Sequence, residues 1–180
     1  MIRGAVGALC CAALLVGCSS EAEPRTLPPA PLTSPSPTRA EPLPVPSEAM
    51  PETAEGAAAF ARYWIKVLEQ SLATGDATQL KTLSDGGCGG CKNLVGAAEG
   101  GEAGESIRGG RFVVQFAEAP PIEGDETIVA LRYSREAGEL LNADGSVIAP
   151  VAPEGPVDAE MRIKRRDGSW IVLGFRGTPA

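Results

Sequence analysis

Apolar residues recur every three or four positions after Pro51, a pattern typical of an amphipathic helix. Thr53 suits the N-cap of this helix, and the Thr74-Gly75-Asp76 turn should end it. The apolar face consists of Ala57, Phe60, Ala61, Trp64, Val67, Leu68 and Leu72. A short second helix is expected over residues 77–83 and a further helical turn over 93–99. The glycines between 96 and 110 predict a mobile loop.

After this loop the apolar pattern changes to a period of two, which predicts β-strands. One strand carries Phe112, Val114 and Phe116 on one face, and the next carries Val129, Leu131 and Tyr133. A third strand is expected over residues 147–151. The clearest hairpin joins residues 157–166 to 170–176 through Asp167-Gly168, a dipeptide that favours tight turns.

This order of elements predicts an α+β domain over residues 52–177. Its helices should pack on one face of an antiparallel, strongly curved, cone-like sheet. The domain is long enough to form a hydrophobic core of its own.

The first 17 residues have the pattern of a secretory signal peptide, with Arg3 followed by a short apolar run. The run is too short to span a bilayer as a helix. Leu15-Val16-Gly17-Cys18 resembles a lipobox, and this resemblance implies cleavage before Cys18 and acyl chains attached through it. The expected location is therefore the extracytoplasmic face of the cell membrane, with membrane lipid as one partner. The alternative is an ordinary signal peptide in which Cys18 is incidental.

Residues 18–51 hold ten of the 16 prolines and no aromatic residue. Proline removes backbone donors and fixes φ, so the sequence predicts a disordered, extended tether rather than part of a core. A ligand for a proline-binding module is the alternative.

The amino-acid composition argues against several classes of partner and functional site. The chain carries 16 Lys and Arg against 23 Asp and Glu, which argues against a nucleic-acid partner. It has no His, which removes the usual triad base and His-containing zinc sites. No cofactor, metal site or catalytic residue is predicted.

Cys88 and Cys91 form the one cysteine pair left once Cys18 and the signal-peptide cysteines are set aside. An exported C-x-x-C pair is expected to oxidise, which predicts a disulfide that holds a Gly-rich turn. Thiol-redox catalysis is the alternative, but it would need the first cysteine at a helix N-terminus within a βαβ unit.

Several short motifs together resemble a domain of unknown function found in actinobacterial lipoproteins, over about residues 48–177. The motifs are Glu55-Gly56-Ala57, Tyr63-Trp64, Thr74-Gly75-Asp76, Leu83-Ser84, Cys88-Gly-Gly-Cys91 and Gly109-Gly110. The resemblance implies a location and a domain type but no activity. The order of elements is also similar to the nuclear transport factor 2-like cone, which ketosteroid isomerases and polyketide cyclases share.

These observations favour a binding domain over an enzyme. The ligand would be a small apolar molecule in the mouth of the cone, or the partner would be another envelope protein. Residues expected to line or floor such a pocket are Trp64, Phe112, Val114, Phe116, Leu131, Tyr133 and Trp170. A cyclase or isomerase would need a buried carboxylate in that pocket, and a passive structural lipoprotein would have a filled cone.

Replacing Cys18 by Ser should release the protein from the membrane fraction and abolish incorporation of labelled fatty acid. The physical reason is that each buried methylene of an acyl chain contributes roughly 0.8 kcal/mol to membrane binding. Fractionation and labelling of both forms measure this. Equal membrane retention and equal labelling of the Ser variant would contradict the lipidation hypothesis.

Overall fold

Three α-helices precede seven strands in the residues that the computed structural model of the chain describes, which are 40–100 and 104–179. The helices are α1 Ala54–Thr74, α2 Thr78–Thr82 and α3 Gly89–Ala98, after a 3-10 turn at Ser47–Ala49. The strands are β1 Ser106–Gly109, β2 Phe112–Glu118, β3 Glu126–Arg135, β4 Gly138–Leu141, β5 Val147–Val151, β6 Glu154–Arg166 and β7 Ser169–Pro179. The predicted signal peptide, Cys18 and the tether up to residue 39 lie outside the described residues.

The first helix has the predicted ends. The Thr53 side chain accepts a hydrogen bond from the Gly56 N–H at 3.1 Å, and Gly75 closes the helix in the left-handed region with φ 73°. Its buried surface is wider than the predicted stripe, because Tyr63 and Ile65 are also buried. No helix in the described part of the chain is long and apolar enough to cross a membrane.

The strands form two antiparallel sheets that share chain segments. The order is β1-β4-β5 in the smaller sheet and β2-β3-β6-β7 in the larger one. Residues 106–118, 126–141 and 147–166 each run from one sheet into the other. This arrangement of helices on a curved antiparallel sheet confirms the predicted α+β class.

Glycines make the bend between the two sheets possible. Gly109 and Gly110 have φ 77° and 65°, a region that other residues seldom adopt. A Cβ on Gly138 would lie 2.7 Å from the Gly110 nitrogen, so the neighbouring strand must also carry glycine here. Gly155, with φ 120°, makes the corresponding bend in the third segment.

The hydrophobic core lies between α1 and the inner face of the larger sheet. Residues that alternate along these strands supply the sheet side of this core, as the period of two predicted. Each is at most 5% exposed: Ala117, Val129, Leu131, Ala159, Met161, Ile163 and Val172.

Residues 40–51, which we assigned to the tether, are instead part of the packed domain; we call them the strap. Gln79 clamps the strap by accepting from the Leu43 N–H at 2.9 Å and donating to the Leu43 carbonyl at 2.7 Å. The Tyr63 hydroxyl donates to the same carbonyl at 2.9 Å. Ala49 is 1% exposed. The high proline content led to a wrong prediction of disorder for residues 40–51. Side chains of α1 and α2 supply hydrogen-bond partners for the strap backbone, so it can pack without forming a helix or a strand pair.

The third helix also departs from the expectation. It begins at Gly89 rather than Asn93, and β1 lies within the predicted mobile loop. Gly90 explains how closely α3 approaches the sheet, because a Cβ there would lie 2.0 Å from the Phe175 carbonyl oxygen. On the same strand, Val172 exchanges backbone hydrogen bonds with Leu83 and Asp85, so residues 83–90 cover the free edge of β7.

A bulge in β2 reverses the direction of one predicted core residue. Val114 lies opposite Tyr133, but the next pairing is Phe116 with Arg132. The Arg132 guanidinium lies 5.6 Å from the centre of the Phe116 ring, on the outer face of the sheet. Our expectation that Phe116 shares a face with Phe112 and Val114 is therefore wrong, because simple alternation does not anticipate an extra residue.

Replacing Gly90 by Ala should destabilise the domain by about 1–3 kcal/mol, the usual cost of forcing extra atoms into a packed contact. The matched control is Gly89→Ala, since nothing lies within 4 Å of a Cβ at that position. Urea unfolding of the two variants measures the difference. Equal stabilities would show that α3 does not press on β7 through Gly90.

The bulge can be tested by comparing Leu131→Ala with Phe116→Ala. Truncating the buried Leu131 should cost about 2–5 kcal/mol, whereas Phe116 should lose mainly its contact with Arg132, about 1 kcal/mol. The unfolding free energies of both variants decide the matter. A larger loss for Phe116 than for Leu131 would place Phe116 in the core and refute the bulge.

Candidate functional site

The structure does not bring the seven predicted pocket residues together. Trp64, Leu131 and Trp170 are at most 2% exposed and are packed in the core, so their side chains offer almost no surface to a ligand. Phe116 lies on the outer face of the sheet. Phe112, Val114 and Tyr133 remain, half-buried on the inner face.

Trp170 lies far from these three residues. It pairs with Arg165 on β6, whereas Tyr133 is opposite Val157 on the same strand. Eight residues of strand separate the two positions, which is roughly 27 Å. The Trp170 indole N–H donates to the Pro51 carbonyl at 3.3 Å, so this side chain fixes the strap rather than a ligand.

The remaining aromatic residues form a connected wall near the bend of the sheet. The Phe112 and Tyr133 ring centres are 5.7 Å apart, and those of Tyr133 and Phe175 are 6.4 Å apart. Phe175 in turn contacts Trp64 at 5.2 Å, which joins the wall to the core. These separations are typical of favourable aromatic pairs.

Arg135 lies at the end of this wall and was missed by the sequence analysis. It is opposite Phe112 on β2, and it follows Leu131 and Tyr133 on the same face of β3. Its side chain is 23% exposed. The signal was present in the sequence, since the alternation that assigned Tyr133 inward also points residue 135 inward. We call Phe112, Val114, Tyr133, Arg135 and Phe175 the mouth cluster.

The guanidinium group of Arg135 is only partly paired with other groups. One terminal nitrogen lies 3.5 Å from a carboxylate oxygen of Glu154, whose side chain is 53% exposed. The Nε atom is buried and has no hydrogen-bond partner among the described residues. Most buried polar groups in proteins have a partner, so this nitrogen distinguishes Arg135 from the paired arginines on the outer face.

Tyr133 lies in the same polar environment. Burial raises the pKa of its hydroxyl, and the negative charge of Glu154 raises that pKa further, while the Arg135 charge opposes both effects. The hydroxyl therefore stays protonated at neutral pH and can donate a hydrogen bond.

An open groove of 610 Å³ adjoins the mouth cluster along the free edge of β2. Phe112 and Val114 line it together with Leu43 of the strap and Ala73 of α1. The charged groups at the groove include Glu69, which accepts a hydrogen bond from the Phe112 N–H at 2.7 Å. The other charged lining residues are Lys66 and Arg111. The groove thus joins an apolar floor to polar walls.

Cys88 and Cys91 form the predicted disulfide. Cys88 is the N-cap of α3, so it does lie at a helix N-terminus, but the strands of both sheets are antiparallel and the helix is not part of a βαβ unit. Both cysteines are only 1% exposed, which keeps an attacking thiol away from either sulfur. This burial favours the structural role over redox catalysis. Within residues 40–100 and 104–179, no group of three or more Cys, Asp or Glu side chains is placed to hold a metal ion.

The fold is similar to several solved structures. The intermembrane space region of the chloroplast protein ARC6 is 11% identical, with 71% of this chain and 97% of that chain covered and a TM-score of 0.51. A putative dehydratase of the NTF2-like family from Streptomyces avermitilis is 13% identical over 67% and 94% of the two chains, with a TM-score of 0.45. A putative calcium/calmodulin-dependent protein kinase II association domain from Xanthomonas campestris is 16% identical over 81% and 96%, with a TM-score of 0.44.

NTF2-like proteins are thus among the structural neighbours, as the resemblance in element order implied. At these identities the likeness concerns the fold and no activity. A search of curated proteins found no match to this chain. A protein-family model matches residues 29–176, which include the whole mouth cluster, the disulfide and the strap. The chain therefore belongs to the family of unknown function DUF6318.

Proposed function

We propose that this protein is a lipoprotein of the extracytoplasmic membrane face, anchored through acylated Cys18, whose domain binds a small, mainly apolar ligand. The ligand would lie in the groove, against Phe112 and Val114. The tether predicted from the sequence would act as a spacer between the membrane and this domain.

The observation that carries this proposal is the groove itself. Its volume of 610 Å³ falls within the range of roughly 300–1,000 Å³ that is usual for small-molecule sites. Phe112 and Val114 expose apolar surface there although both belong to the inner face of the sheet. A ligand that covered them would remove this surface from water, which is the main source of affinity for apolar ligands.

The side chains of the mouth cluster suit ligand binding better than they suit catalysis. An isomerase or cyclase of this fold type would use a carboxylate buried beside the ligand. The buried polar residues in the described part of the chain are Ser71 and Thr127, and neither is a carboxylate. Glu154, the carboxylate nearest Arg135, is half-exposed and ion-paired, so its surroundings are those of a surface carboxylate.

The neutral fluorescent probe N-phenyl-1-naphthylamine should bind the mature chain carrying Cys18→Ser with a saturable 1:1 signal. Val114→Gln should weaken binding about tenfold, equivalent to about 1.4 kcal/mol, because it places an amide on the apolar floor. Fluorescence titration measures both affinities, and thermal unfolding checks that the variant folds.

Ile128→Gln is the matched control, since Ile128 is an apolar β-strand residue that is 50% exposed on the outer face. It should leave probe affinity unchanged. Absence of saturable binding would refute the ligand proposal, and would leave a protein partner or a passive structural role as the alternatives. Equal effects of the two substitutions would place the probe outside the groove.

A further inference from the structure

We propose that a cavity under the strap is a second ligand site, which takes a small uncharged molecule and donates a hydrogen bond from Ser71 to its carbonyl oxygen. Residues 40–42 and 45 of the strap form one side of this cavity, and α1, α2 and the turn between them form the other. We call it the strap cavity. Its volume is 330 Å³, against 610 Å³ for the groove, which suits a smaller ligand. The inference goes beyond the proposed function, because none of the mouth-cluster residues lines this cavity.

Ser71 is a polar residue on the buried side of α1, and it lines the strap cavity. It is 2% exposed, and its neighbours Val67 and Leu68 one turn earlier are apolar and equally buried. Burying a hydroxyl group costs free energy unless the group is hydrogen-bonded. A purely structural role at this position would therefore favour an apolar residue such as alanine.

The Ser71 hydroxyl has no hydrogen-bond partner among the described residues. Thr74 shows the usual arrangement in a helix, because its hydroxyl donates to the Gln70 carbonyl one turn earlier at 2.8 Å. The Arg135 Nε atom is the one fully enclosed side-chain polar atom without a partner in the described part of the chain. The unpartnered oxygen of Ser71 is therefore not fully enclosed, and it can be reached from the cavity that Ser71 lines.

Two other polar groups of the cavity wall are already paired. The Tyr63 hydroxyl donates to the Leu43 carbonyl at 2.9 Å and accepts from the Gln79 amide at 2.7 Å. The Gln79 amide group also bonds both backbone groups of Leu43. These bonds hold the strap and leave the Ser71 hydroxyl free to donate to a ligand, which must then supply an acceptor.

Most of the remaining cavity surface is apolar. Pro42 and Val45 of the strap contribute to it, together with Leu83 after α2. Val45 is 49% exposed, an unusual extent for a large apolar side chain in this domain. A ligand in the cavity would remove this apolar surface from water, which favours binding.

The charges at the strap cavity argue against an anionic ligand. Glu41 and Asp76 line the cavity, whereas no Lys or Arg of the described residues does so. An anion would be repelled by both carboxylates. The polar group on the inner wall is the neutral hydroxyl of Ser71, so the matching group is an uncharged oxygen such as that of a ketone or an ester. A carbonyl oxygen accepts a hydrogen bond without bringing a donor that would need its own partner.

Three probes that share a two-ring frame test this inference. 1-Indanone has a carbonyl group, indane lacks it, and 1-aminoindane is positively charged at pH 7.5. We expect 1-indanone to bind the mature chain carrying Cys18→Ser and to shift the backbone amide signals of Val45, Ser71 and Thr78 in an NMR titration. Ser71→Ala should weaken 1-indanone binding about fivefold, the usual contribution of one neutral hydrogen bond, and should not weaken indane binding. The variant should fold, because alanine is the best helix former.

Thr74→Ala is the matched control, since it removes an exposed hydroxyl from the same helix, and it should leave 1-indanone binding unchanged. The amide signals of Phe112 and Val114 should not shift, which separates this site from the groove. Equal weakening of 1-indanone and indane by Ser71→Ala would overturn the inference, as would tighter binding of 1-aminoindane than of 1-indanone. Absence of 1-indanone binding would also overturn it, and would leave the proposed function at the groove intact.

Discussion

The bend shared by three neighbouring chain segments determines where everything else in this domain lies. Strands can curve together only if each bends at the same level. Close contact between backbones there excludes a side chain at Gly138, and the positive φ of Gly110 favours glycine in the neighbouring strand. The bend turns the smaller sheet away from the larger one. As a result Phe112 and Arg135, which are paired directly beside the bend, lie at the rim of the inner face rather than within its core.

The strap adds a second constraint, because it covers a side of α1 that the sheet does not reach. Gln79 pairs with both backbone groups of Leu43, much as a neighbouring strand would, and Tyr63 adds a third hydrogen bond. This explains why α1 is buried well beyond its predicted stripe. Leu43 also forms one wall of the groove, so the segment nearest the tether helps to shape the proposed ligand site.

The sequence predicted features that depend on local periodicity and missed those that depend on partners distant in the chain. The first helix, the last hairpin and the disulfide follow from spacing and turn chemistry, and all are present. The strap and the reversal of Phe116 depend on α2 side chains and on pairing with β3, neither of which local pattern contains. Arg135 is different, because alternation already placed it inward and only its charge made it look like a surface residue.

An arginine on the inner face is difficult to explain by stability alone. Replacing a buried ionic group by an apolar residue of similar size is often neutral or stabilising, so a purely structural wall would favour leucine or methionine at position 135. The outer face already holds ion pairs such as Arg132–Asp158, where contact with water lowers the desolvation cost of the charged groups. Stability alone would thus favour an apolar residue at position 135, whereas the mouth cluster contains an arginine there. The incomplete pairing of Arg135 is therefore a local cost in stability, which the aromatic contacts of the mouth cluster must offset.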